Sequence, residues 1–146
     1  MYSLAIYLYM FCVNIAALFN KKARLLKNGH AKTYKILRRG IKDGEQYLWF
    51  HAASLGEFEQ GRPLIEKIRR NCPQYKILLT FFSPSGYEVR KDYEGADVCC
   101  YLPFDTMLNA RKFIRIAKPT MAFFIKYEFW QNYITELHRH NIPTYS

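Results

Sequence analysis

QYLWFHAASLGEFEQGRPLIEKIRR, residues 46–70, runs from a short apolar stretch through small residues into an amphipathic segment. The first seven residues read as a buried strand, and Glu57–Arg70 read as a helix. Between them Ser54-Leu55-Gly56-Glu57 matches S-x-x-E, the capping box that opens a helix. The same succession recurs along the chain. YKILLTFF (75–82), ADVCCYL (96–102) and PTMAFFI (119–125) are apolar runs, followed by amphipathic segments at Gly86–Tyr93, Thr106–Ile116 and Glu128–His140. Strand then helix, four times over, implies βαβ units, a parallel sheet and right-handed crossovers. The expected fold class is α/β, a Rossmann-like parallel sheet with flanking helices. The closing HNIPTYS reads as a turn and the first residues of a fifth strand, so the chain is expected to be the first part of a longer protein.

A chain of 146 residues has the length of one domain and can bury roughly two-thirds of the surface its unfolded form exposes. Half of its residues are apolar and 17% aromatic, a composition that suits a packed core. The net charge of +10 is unevenly placed. Residues 1–42 hold nine Lys or Arg and no acid, whereas residues 43–146 hold thirteen against twelve acids. The basic block follows Tyr2–Phe19, eighteen residues without a charge, which is the lower limit for a membrane-spanning helix. The expected organisation is therefore a membrane-anchor helix over 1–20, a basic juxtamembrane segment over 21–42 and the Rossmann-like domain over 43–146. By the positive-inside rule the basic segment is expected on the cytoplasmic side, against an anionic membrane surface. The alternative is an apolar helix docked on its own or a partner domain. Charges that follow the apolar run argue against a cleaved signal peptide. A near-balanced charge in residues 43–146 argues against a nucleic-acid partner. The four cysteines form no CxxC or Cys/His pattern, and the His138-x-His140 pair lacks a third ligand, so no metal and no cofactor are expected.

In open parallel sheets ligands gather at the carboxyl ends of the strands, which directs attention to AASLGE, SPSGYE, PFD and KYEFWQN. Glu57 has two readings. It completes the capping box with Ser54, or, at a strand end beside Gly56, it takes a proton from an incoming hydroxyl. Ser83, Ser85 and Gly86 either offer hydroxyls and amides to a phosphate or sugar, or form a Ser-Pro turn with Ser85 capping the helix. Spacing alone does not choose in either case.

HAASLGE, FFSPSG, YLPFD and YEFWQN, in this order and behind an apolar helix and a basic segment, resemble the N-terminal domain of the 3-deoxy-D-manno-octulosonic acid (Kdo) transferases of Gram-negative bacteria. The resemblance covers essentially the whole chain. It implies the N-terminal, acceptor-side half of a GT-B glycosyltransferase, with CMP-Kdo as donor, held mainly by an absent C-terminal domain, and a lipid A precursor as acceptor. It implies Glu57 as the catalytic base of an inverting transfer, with Ser54 and Gly56 shaping its loop and Ser83 to Gly86 lining the acceptor cleft. The second acidic motif falls on Glu128, expected to orient the site, with Trp130 and Asn132 also matching. The sequence departs from the family pattern at Lys126, Tyr127, Phe129 and Gln131, where many members have Glu, Thr, Leu and Pro. Lys126 thus replaces the first acid of Glu-x-Glu. It either contacts an acceptor phosphate or is solvated at a loop edge, and Trp130 is either a site residue or a core aromatic. Two rivals share these features: another membrane-associated GT-B glycosyltransferase, and a non-catalytic membrane-docked binding module.

Overall fold

A computed structural model of the chain describes residues 2–126 and 129–146. The order is α1 (Tyr2–Phe19), α2 (Lys21–Gly40), β1 (Gln46–Ala52), α3 (Leu55–Asn71), β2 (Tyr75–Phe81), α4 (Pro84–Arg90), β3 (Val98–Tyr101), α5 (Met107–Ala117), β4 (Met121–Phe124), α6 (Gln131–Arg139) and β5 (Thr144–Tyr145). The five strands form one parallel sheet in the order β3-β2-β1-β4-β5. The α/β class is as expected, and the architecture is consistent with the N-terminal half of a GT-B glycosyltransferase.

Handedness dictates the layers. From β1 through β2 to β3 the chain steps one way across the sheet, and from β3 through β4 to β5 it returns past β1. Right-handed crossovers then put α3 and α4 on one face and α5 and α6 on the other. Each face has its own core. Leu48, Phe50, Ile77, Leu79 and Phe81 meet Phe58 and Ile65 of α3, while Trp49, Leu78, Cys100, Ala122 and Phe124 meet Phe113, Ala117, Tyr133 and Leu137. Burial on both faces explains why the strands read as unbroken apolar runs. The reversal of direction falls between β1 and β4, so the loops after these two strands flank the switch point where such sheets bind ligands.

The basic segment is a helix packed on the domain. It forms α2, capped at its start by Asn20, whose Oδ1 accepts from Lys22 N–H at 2.8 Å. Leu26, His30, Thr33 and Leu37 form its buried stripe. Thr33 Oγ1 donates to Tyr101 O at 2.9 Å and Tyr34 OH pairs with Asn109 Oδ1 at 2.9 Å, so α2 joins α5 on one face of the sheet. Its polar members conceal that stripe in the sequence.

α1 is apolar enough and long enough to cross a membrane by length and composition. Only Val13 and Ala17 of its residues are buried, and Leu4, Leu8, Phe11, Leu18 and Phe19 are each more than 60% exposed. It nevertheless touches the domain along its length. Tyr2 OH donates to Asp105 Oδ2 at 2.5 Å, the Tyr9 ring lies against Phe82 and Phe104, and Arg24 Nε donates to Ala17 O.

Candidate functional site

The carboxyl ends of β1, β2 and β4 and the start of α3 frame the candidate site. Ser54 is the N-cap residue of α3, and Glu57 Oε2 accepts its backbone N–H at 3.0 Å, the reciprocal half of the capping box. The second carboxylate oxygen, Oε1, accepts no hydrogen bond among the described residues. Beside it Gly56 is exposed, and a Cβ there would meet nothing within 4 Å. The carboxylate is thus oriented by one amide and open on its other side.

The β2–α4 loop is tied to this one by Ser83 N–H donating to Ala53 O at 2.9 Å. Ser83, not Ser85, is the N-cap residue of α4, because Pro84 takes the first helical position that its missing N–H suits. The Ser83 and Ser85 hydroxyls face each other at 2.7 Å on the exposed side. Gly86 has a packing reason, since its Cβ would fall 2.2 Å from Phe81 Cδ1.

Asp105, which sequence reasoning passed over as a mere part of YLPFD, is the joint of the other two loops. It is 1% exposed. Its carboxylate accepts the N–H groups of Asn132 and Tyr133 at 3.3 Å and the Tyr2 hydroxyl, so it caps α6 and holds α1 at once. Asn132 completes the joint, donating from Nδ2 to Asp105 O at 2.6 Å. Burial pushes the Asp105 carboxyl above its usual range against these hydrogen bonds, which pull it down. Asn132 is therefore turned inward, away from any acceptor. No local pattern announces this pairing, because its partners lie 27 and 28 residues apart.

The loop after β4 holds Lys126 exposed at φ 66, a left-handed conformation uncommon outside glycine. Glu128 lies outside the described residues. Trp130 is half-buried at the start of α6, tilted against Phe82 with ring centres 4.9 Å apart and edge to face with His51 at 5.2 Å. Trp130, Phe82, Phe104, Tyr9 and Ile6 wall a cavity of about 270 Å³ between α1 and the strand ends. A larger concavity, about 720 Å³, lies between α5 and α6 around Lys118 and His140, at the ends of these helices that lie away from the strand carboxyl ends.

Two buried histidines flank this region. His30, on α2, is stacked on Phe104 at 4.4 Å and caged by Phe82 and Tyr101, with both ring nitrogens unpartnered among the described residues. Burial lowers its pKa to about 4. His51, at the end of β1, is fully buried and held by the same cause at about 3. Both rings are neutral at physiological pH.

The chain has the architecture of open parallel α/β domains, whose ligands gather at the carboxyl ends of the strands. Residues 23–146 match the family model described as 3-deoxy-D-manno-octulosonic-acid transferase (kdotransferase), and the chain belongs to that family. Similar proteins include the 3-deoxy-D-manno-octulosonic acid transferase of Haemophilus influenzae, 34% identical over 67% of this chain and 23% of that protein. The transferase of the same name from Aquifex aeolicus is 31% identical over 69% of this chain and 30% of its own length. That of Chlamydia pneumoniae is 29% identical over 88% of this chain and 31% of its own. The chain spans between 23% and 31% of the length of these relatives.

Proposed function

We propose that this chain is the acceptor-side part of a glycosyltransferase that moves Kdo from CMP-Kdo to a lipid A precursor in lipopolysaccharide biosynthesis. Glu57 is the general base. Its free oxygen removes the acceptor hydroxyl proton, the resulting oxygen nucleophile attacks the anomeric carbon of Kdo, and the bond to the CMP phosphate breaks with CMP leaving and the configuration inverting. A positioned base of this kind contributes about 10²–10⁴-fold in rate. The observation that carries the reading is the carboxylate itself, half-exposed at the head of α3, with one oxygen fixed by Ser54 N–H and a glycine opening the space beside it. Glu128 and Trp130 orient the site, Lys126 contacts an acceptor phosphate, and no metal is required to generate the nucleophile.

Residues 1–20 serve as the membrane anchor, with the basic residues of 21–42 against the anionic cytoplasmic face of the inner membrane and the rest of the domain in the cytoplasm. A lipid acceptor stays in the bilayer, so an enzyme held there reaches it laterally.

The test uses the full-length protein with membranes, a tetraacylated lipid A precursor and CMP-Kdo, the lipid product being read by mass spectrometry for the wild type and Glu57→Gln. A gain of one or more Kdo units, lost in the folded variant, is the expected result. No gain with folded wild type overturns the Kdo assignment, and a gain that survives in the variant returns Glu57 to its capping box.

A further inference from the structure

His51 is the last polar side chain of β1 before the loop that carries Ser54 and Glu57, and the transfer chemistry above leaves it without a task. Its Nδ1 lies 2.9 Å from Thr80 Oγ1, which itself lies 2.8 Å from Trp49 Nε1 and 3.4 Å from Phe50 O. Its Nε2 is buried with no hydrogen-bond partner among the described residues. A buried polar atom left in this way calls for an explanation.

Counting donors narrows the ring proton to two networks. The indole Nε1–H of Trp49 can only donate, so Thr80 Oγ1 accepts from it. The threonine hydroxyl has one proton to give, and the nearer acceptor is Nδ1 of His51, at 2.9 Å against 3.4 Å for Phe50 O. In the network that uses the shorter contact Nδ1 accepts and the neutral ring carries its proton on Nε2; in the other Nδ1–H donates to Thr80 Oγ1 and the hydroxyl donates to Phe50 O. Burial prevents a second proton from joining the ring, since it charges only near pH 3. The imidazole meets the indole of Trp130 with ring centres 5.2 Å apart and planes at 89°. An N–H directed at an electron-rich indole face is attractive, whereas a bare lone pair in the same place is repelled.

We propose that His51 is a positioning residue of the acceptor site: the relay from Trp49 through Thr80 turns its Nε2–H toward Trp130 and so seats the indole that walls the cavity between α1 and the strand ends. Trp130 leans in turn on Phe82, which lines the same cavity, so a shift of the indole reshapes the space an acceptor enters. The kinetic consequence rests on the transferase reading above; the proton's location does not.

The first measurement is ¹⁵N NMR of the full-length protein with labelled histidine and no substrate. The expected result is a proton on Nε2 of His51, none on Nδ1, unchanged to below pH 5, with the N–H resonance moved upfield by the indole ring current. A proton on Nδ1 overturns the proposal. The second compares His51→Phe, which keeps a ring and loses both nitrogens, with His51→Gln, whose amide N–H reaches the place of Nε2. The expected outcome is an acceptor KM raised about ten-fold in His51→Phe with kcat within about two-fold, and a KM within about three-fold of wild type in His51→Gln. Equal KM in both variants and wild type, or a loss confined to kcat, overturns it. If no Kdo transfer is found with any form, the transferase reading fails and the NMR result still decides the tautomer.

Discussion

At the scale of single residues, Glu57 carries two duties that one substitution can separate. Gln at the third helical position also completes a capping box, so Glu57→Gln keeps the hydrogen bond to Ser54 N–H and removes only the charge. We expect its melting temperature to stay near that of the wild type while transfer falls about 10²–10⁴-fold. Glu57→Ala should lose the same activity and about 1 kcal/mol of stability as well, which paired turnover assays and thermal melts would read. The buried histidines make a second prediction. The unfolded chain takes up protons near pH 6.5, whereas native His30 and His51 refuse them until about 4 and about 3. Their folded pKa values are lowered, so the native state loses stability as pH falls below 6.5 and is unaffected above 7. Each ring should cost on the order of 3 kcal/mol by pH 4, at about 1.4 kcal/mol per pH unit. His30→Phe, which preserves the stacking on Phe104, should remove about half of that loss in denaturation curves taken from pH 7 to pH 4. Ser54 and Glu57 were legible in the sequence because a capping box is local. Asp105 and His51 were not, since Asn132 and Thr80, the partners that define them, lie 27 and 29 residues away.

At the scale of elements, the four βα units announced themselves by period, and β1 spans the residues its apolar run predicts, Gln46–Ala52. α6 begins at Gln131, three residues later than its amphipathic pattern suggests, with Trp130 as its N-cap residue and Asp105 supplying the acceptors for its first amides. The element that composition hid is α2. Its eight Lys and Arg residues are all exposed, and its buried stripe mixes Leu26 and Leu37 with His30 and Thr33, so hydropathy alone describes a solvated basic segment. Packing tells otherwise at Gly29, where a Cβ would sit 2.1 Å from Tyr101 Cε2 on β3. On a free helix Gly→Ala stabilises by about 1 kcal/mol. On a helix pressed against the sheet the added methyl must displace the Tyr101 ring, and overpacking of this kind typically costs about 1–3 kcal/mol. Gly29→Ala is therefore expected to lower the midpoint of urea unfolding. A raised midpoint would mean that α2 stands clear of the domain.

At the scale of the molecule, charge is divided between the two helix layers. On the α3–α4 side, acids and bases pair: Glu59 with Arg62 and Arg90, Glu66 with Arg62, and Glu88 with Lys91. On the other side α2 has eight exposed cations and no acid, and α5 adds Lys112 and Arg115, while its Arg111 pairs with Glu136 of α6. Directly before α2 lies α1, which holds nine of the fifteen exposed large hydrophobics among the described residues. An apolar helix next to an uncompensated cationic one is a pairing that an anionic bilayer satisfies twice, by burial of α1 and by Coulomb attraction to α2. The two contributions respond differently to conditions. Raising the salt from 0.1 M to 1 M shortens the Debye length from about 10 Å to about 3 Å and should weaken only the second. Replacing Lys27, Lys32 and Lys35 by Gln should lower partition of the full-length protein into anionic vesicles about 100-fold at low salt, at about 1 kcal/mol per charge, and change partition into neutral vesicles little. Deleting residues 1–19 should lower both. Because α1 also covers the Phe82–Phe104 cage around His30, the same deletion should let solvent reach that ring and raise its pKa from about 4 toward 6.5, a shift that histidine NMR follows without any membrane. Loss of vesicle binding with an unmoved His30 would mean that α1 serves the bilayer alone and that its docking on the domain is dispensable. A shifted His30 with binding intact would make α1 a part of the core and leave the membrane to α2.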